Sequence, residues 1–115
     1  MNCGRQESGN YEIKLARPCV DDPGKYIAES RYDNGFSMDE LCIILHEEKE
    51  KGIVDDLKCS TRLGVARFEL EEKTVMLYRN GRIDIRKTTD VDDAQKLMKK
   101  VREMVKKAFS DTTCD

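Results

Sequence analysis

The stretch that decides the fold runs Thr74-Val-Met-Leu-Tyr78, then Arg79-Asn80-Gly81, then Arg82-Ile-Asp-Ile-Arg86. Its first part is an apolar strand. Asn80-Gly81 is a strong hairpin signal, because a type I′ turn needs positive φ at both central residues. The third part alternates strictly, turning Ile83 and Ile85 inward and Arg82, Asp84 and Arg86 outward. Thr88-Thr-Asp90 follows, with Asp90 placed to cap a helix and Asp92 and Asp93 in a first turn that favours negative charge. Val91, Ala94, Leu97, Met98, Val101, Met104, Val105, Ala108 and Phe109 then recur at three- and four-residue steps. Lysines and Arg102 fill the opposite side. A helix from Val91 to about Phe109 would be roughly 28 Å long and could lie across a sheet of three or four strands. Placing a charge in its stripe, as in Leu97→Asp or Val101→Asp, is predicted to unfold the domain.

Upstream of this unit the chain reads as an α+β domain. Val65-Ala-Arg-Phe-Glu-Leu70 alternates with Ala66, Phe68 and Leu70 on one face, and Glu71-Glu-Lys73 is a turn. Residues 53–63 read either as a loop or as a short strand at Leu57–Cys59. Ser37-Met-Asp-Glu40 has the spacing of a capping box, in which the serine hydroxyl and the glutamate carboxylate satisfy each other's backbone amides. Met38, Leu41, Cys42, Ile44 and Leu45 form an apolar stripe behind it, His46 to Lys51 a solvated end, and Gly52 the natural C′ residue. Tyr11 to Ala16 alternates as a strand ended by Arg17-Pro18. Asp21-Asp-Pro-Gly24 reads as a turn, and Lys25 to Tyr32 as a second strand closed by Asp33-Asn-Gly35. The expected architecture is a mostly antiparallel sheet of about four or five strands with two helices on one face. It occupies residues 11–109, between a disordered N-terminus (1–10) and a flexible tail (110–115).

Composition narrows the function classes. The chain has 115 residues, 38% charged and 38% hydrophobic, and a net charge of −2. That is the size of one domain, and the small net charge argues against disorder. Residues 1–56 hold 7 basic and 13 acidic residues and residues 57–115 hold 14 and 10, so the halves carry −6 and +4. A dedicated duplex binder is more often basic throughout. No apolar run reaches the length of a membrane span, the N-terminus lacks a secretory h-region, and neither end carries a lipidation box. The expected location is cytoplasmic.

The chemistry-bearing residues are few. Cys3, Cys19, Cys42, Cys59 and Cys114 are odd in number, widely spaced and without a C-x-x-C pair. That pattern points to free thiols in a reducing compartment rather than a disulfide framework or zinc finger. Cys19 and Cys59 sit in the less apolar settings and are the candidate metal or cluster ligands. His46, the single histidine, lies among glutamates on a solvated helix end. No P-loop, G-x-G-x-x-G or nucleophile elbow occurs, and the paired aspartates fall in turns and caps, so no catalytic residue is assigned. Arg79, Arg82, Arg86 and Lys87 cluster on the hairpin as candidate anion or nucleic-acid contacts. Asp84 interrupts them, and Tyr78 is the one aromatic near them for a base to stack on.

The span Val75 to Ile85, followed by Thr89-Asp-Val-Asp-Asp-Ala94 and a long basic amphipathic helix, resembles the final hairpin, acidic cap and C-terminal helix of one repeat of the TATA-binding protein family. That resemblance implies a curved antiparallel sheet with a long helix on one face. DNA binding does not carry over, since one repeat is present and the wedge phenylalanines have no counterpart. Ile13-x-Leu15-x-x-Pro18-Cys19, Ile27-x-Glu29, Ala66-x-Phe68, Gly81-x-Ile83-x-Ile85 and Asp90 with Asp93-Ala94 are also similar to small domains of methanogens and other anaerobes. Some of these precede a four-cysteine iron–sulfur domain. This second resemblance implies genomic company with iron–sulfur or one-carbon proteins and transfers no ligand set.

Together these readings point to a non-catalytic binding or accessory module. Its expected partner is a protein or a second copy, a homodimer joined through sheet edges or the exposed sheet face. No cofactor is expected, an iron–sulfur cluster staying open. The competing classes are a metal or iron–sulfur accessory protein using Cys19 and Cys59, and a nucleic-acid module using the hairpin cations.

Overall fold

A computed structural model describes residues 12–19 and 22–109. The ends expected to be flexible, and Tyr11, lie outside these. Six strands form one antiparallel sheet: β1 (Lys14–Cys19), β2 (Asp22–Arg31), β3 (Asp55–Ser60), β4 (Val65–Leu70), β5 (Lys73–Tyr78) and β6 (Arg82–Thr88), in the order β1-β2-β6-β5-β4-β3. Helix α1 (Met38–Glu50) joins β2 to β3, and α2 (Val91–Val105) follows β6. The α+β class and the antiparallel sheet are as expected, with six strands rather than four or five. The stretch 53–63, left open between strand and loop, supplies β3 at the sheet edge.

The strand alternation builds the core. In register, Ala66 lies beside Leu77 and Leu77 beside Ile83, while Phe68, Val75, Ile85 and Ala28 form the next row. All seven are buried, and they join Leu41 and Leu45 of α1 and Leu97, Met98, Val101 and Val105 of α2 in one cluster. Both helices therefore cover the same face of the sheet. Each large side chain buried there contributes about 1.5–3 kcal/mol, which makes the helix layer indispensable.

Three local readings are corrected. Strand β1 continues through Pro18, and β2 begins at Asp22, so both prolines lie within strands, and residues 20 and 21 lie outside the described residues. Breaks in register, between Leu15 and Arg17 and between Pro18 and Cys19, absorb the irregularity. Ser37 is the N-cap of α1 but makes no side-chain cap bond, so the capping box does not form; its amide instead donates to Ala108 O at 2.7 Å. The type I′ conformation falls at Glu71 and Glu72 (φ 52 and 68), not at Asn80-Gly81. There, Gly81 N donates to Tyr78 O at 2.9 Å and only Gly81 has positive φ, the pattern of a type I turn followed by a left-handed residue. The long C-terminal helix is as expected: α2 continues into a short 3-10 turn, Lys106–Ala108, and Phe109 then bridges Phe36.

The other end signals hold. Gly52 (φ 80) ends α1 in a Schellman motif, Ile53 N donating to Glu48 O and Gly52 N to Lys49 O. Asp90 caps α2 by accepting from Asp93 N at 2.8 Å, and Asp93 in turn accepts from Thr89 N at 3.0 Å.

Candidate interaction surface

The residues opposite the core face form the side of the sheet that no described helix covers. Register partners in adjacent strands lie side by side on the same face. One row crosses all six strands: Lys14, Glu29, Asp84, Met76, Arg67 and Lys58. On one side of it lie Arg31 and Arg82, then Val65 beside Tyr78; on the other lie Arg86 with Thr74, and Glu69 with Asp55. Arg31, Arg67, Arg82, Arg86 and Lys58 are exposed.

The centre of this face is a bonded cluster. Arg82 Nε and Nη2 donate to the two oxygens of Asp84 at 3.1 and 3.2 Å, and Nη2 lies 3.6 Å from Glu29. The guanidinium sits 5.3 Å from the Tyr78 ring centroid, a cation–π distance. Tyr78 Oη donates to Asp84 at 3.3 Å, with Met76 Sδ at 3.9 Å. Burial, reinforced by the Asp84 carboxylate, raises the Tyr78 phenol above its ordinary pKa. The bond to Asp84 holds Arg82 still more firmly protonated. Thr74, although on this face, is 3% exposed and donates to Glu69 Oε2 at 2.6 Å.

The four hairpin cations are not brought together. Arg79 lies over the β3–β4 turn, its side chain donating to Thr61 O and its amide to Gly64 O. Arg82 is held in the central cluster, and Arg86 lies two positions further along the same face. Lys87 sits at φ 69, where β6 bends beside the shift in register between Tyr26 and Ala28. Sequence reading missed Lys14, Glu29, Arg31, Lys58 and Arg67, although their positions in alternating strands were the available signal.

The free-thiol reading is corrected for two cysteines. Cys42 of α1 and Cys59 of β3 form a disulfide with their Cα atoms 5.7 Å apart, within the usual range. Cys59 therefore offers no thiolate to a metal while that bond stands. Cys19 ends β1, and its side chain lies outside the described part of the structure. Among the described residues no group of three or more His, Cys, Asp or Glu side chains is arranged to hold a metal. His46 is exposed on α1, as expected. Among the described residues no helix is long and apolar enough to cross a membrane.

No family model, curated protein or solved structure matches the chain.

Proposed function

We propose that the chain is a non-catalytic binding module, that the uncovered sheet face is its working surface, and that a second copy is the partner this face fits. The observation that carries the reading is the row Lys14, Glu29, Asp84, Met76, Arg67, Lys58. It holds an acidic pair on one side of Met76 and a basic pair on the other. A two-fold axis parallel to the strands, between β6 and β5, sets Glu29 opposite Arg67 of a second copy, and Arg82 opposite Tyr78. Such an interface is isologous, so each attraction occurs twice. Lys14 would meet Lys58 only at the solvated rim, where charge contacts weigh little.

The centre also has contact chemistry. Tyr, Met and Arg are enriched at interface cores, and Tyr and Arg dominate their energetics. The sheet edges fit less well. Strand β1 contains Pro18 and two breaks in register, and β3 contains a third break and exposed charges, all of which discourage edge pairing. A phosphate backbone fits less well too, since Glu29 and Asp84 stand among Arg31, Arg82 and Arg86 and would repel it.

Sedimentation equilibrium tests the reading. The wild-type chain is expected to dimerise. Arg67→Glu or Glu29→Lys should each weaken the dimer about tenfold, and the double charge swap should recover most of that loss. A wild-type chain that stays monomeric up to about 1 mM, the limit of roughly −4 kcal/mol association, overturns it.

A further inference from the structure

Strand β3 is held to the body by its ladder with β4, by the half-buried Leu57 and Cys59 that pack against the core, and by one covalent bond. It lies at the sheet edge and pairs with β4 alone. Asp55, Asp56 and Lys58 are exposed, Leu57, Cys59 and Ser60 are half-buried, and no side chain of the strand is fully buried. Its ladder is broken between Asp55 and Lys58, where Asp56 takes φ 52, a region that residues other than glycine occupy at a cost. Its neighbours are anchored independently. Leu41 and Leu45 hold α1, and Ala66, Phe68 and Leu70 hold β4, each at most 2% exposed. The Cys42–Cys59 bond joins the anchored helix to the weakly held strand. Both cysteines are half-buried.

We propose that Cys42–Cys59 is a thiol-exchange site whose reduction releases β3 while the rest of the fold stays closed. The co-reactant is a low-molecular-weight dithiol. Its thiolate attacks one sulfur, forming a mixed disulfide and expelling the other cysteine as a thiolate, which takes up a proton. The second reagent thiolate then attacks the reagent's own sulfur in that mixed disulfide, closing the reagent's disulfide and freeing the remaining cysteine. Two electrons pass to the protein and two reagent thiols are oxidised. Segments with few buried contacts are the ones that open locally, so β3 is the unit that should respond. Lys58 leaves the open face with β3, a consequence that rests on the binding reading above; the latch itself does not.

Hydrogen exchange with mass spectrometry on the full chain tests this in the free protein, where partner binding plays no part. Free cysteines are first alkylated, and the protein is then compared with and without dithiothreitol, with reduction verified by a second alkylation. Exchange in peptides spanning 55–60 should rise about tenfold or more on reduction, while peptides from β5, β6 and α1 stay as they were. The variant with Cys42→Ser and Cys59→Ser should show the fast pattern without reductant; if that variant fails to fold, the reduced wild-type chain decides alone. Unchanged exchange at 55–60 in verified reduced protein overturns the proposal. So does loss of protection in all strands together, which would make the bond a global staple. Absence of the bond in protein purified without reductant also overturns it.

Discussion

The Tyr32 hydroxyl donates to the carbonyl oxygen of Met98 at 2.7 Å, inside the core and across 66 residues of sequence. It ties the end of β2 to the middle of α2. The Tyr32 ring also meets Phe109 edge-on at 5.4 Å and Phe36 at 6.1 Å, and those two rings stack at 4.8 Å. Phe36 pairs with Phe109 along the backbone as well. The segment before α1 and the segment after α2 thus close on each other around one tyrosine.

Tyr32→Phe keeps the ring and removes the donor, so it should cost about 1 kcal/mol in urea unfolding. Tyr32→Ala also leaves a cavity beside the stacked pair of phenylalanines and should cost about 3–5 kcal/mol. Equal losses for the two variants would show that the hydroxyl, not the ring, carries the contact.

Leu97→Asp and Val101→Asp place a carboxylate where the wild-type side chains are 3% and 0% exposed. Both sites lie in the apolar cluster, where an added charge is costly, so both variants should lose the cooperative thermal transition of the wild-type chain. A melt within a few degrees of wild type would contradict the core assignment.

How much of this could be read from sequence depends on the range of the signal. Helix α2 and its Asp90 cap were visible because three- and four-residue spacing and N-cap chemistry are local. Pro18 and Pro23 read as lying outside the strands because proline looks like a strand breaker unless an irregular edge pairing accommodates it. Asn80-Gly81 carried the expected hairpin with a different turn, since Gly81 alone takes positive φ. The cross-sheet row could not be read at all: alternation tells which residues share a face within one strand, whereas the register that aligns Glu29 with Arg67 is tertiary. Cys42 and Cys59 are 17 residues apart on a helix and a strand, and no spacing rule pairs such cysteines.

Two glycines separate conformational cost from space. Gly52 has φ 80 with open surroundings, so Gly52→Ala should cost about 1 kcal/mol. Gly81 has φ 95, and an added Cβ would lie 2.6 Å from Asn34 O. Its own carbonyl accepts from Tyr32 N at 2.9 Å, which keeps the two segments close. Gly81→Ala should therefore cost clearly more than Gly52→Ala, about 2–4 kcal/mol in denaturant melts. Similar costs at both sites would mean that the Asn34 segment gives way.

Burial is the first cause of the raised Tyr78 pKa, and Asp84 adds to it. Asp84→Asn removes the carboxylate charge and should bring the Tyr78 phenol down toward its ordinary range without restoring it fully, because burial remains. Ring-carbon NMR across an alkaline titration measures this directly. An unchanged Tyr78 titration would show that the Asp84 contact does not persist in solution.

Asp93 turns helix capping into a pH dependence. Burial by itself would raise its pKa, but the Thr89 amide, Lys73 at 3.2 Å and the Thr89 hydroxyl outweigh burial, and the pKa is lowered. A carboxyl more acidic folded than unfolded stabilises the fold above the unfolded value of about 3.9, and that contribution is lost as pH falls through the folded value. Wild-type stability should therefore drop on acidification below about pH 4, and Asp93→Asn should be less stable at neutral pH with a shallower acid limb. Asp90→Ala removes the cap acceptor and should cost about 1 kcal/mol at neutral pH. Because Asp90 accepts from the Asp93 amide while the Asp93 carboxylate accepts from Thr89 beside it, the two share one first turn, and the double variant should cost less than the two single losses together. Strict additivity in a double-mutant cycle would mean that each acid caps the helix independently.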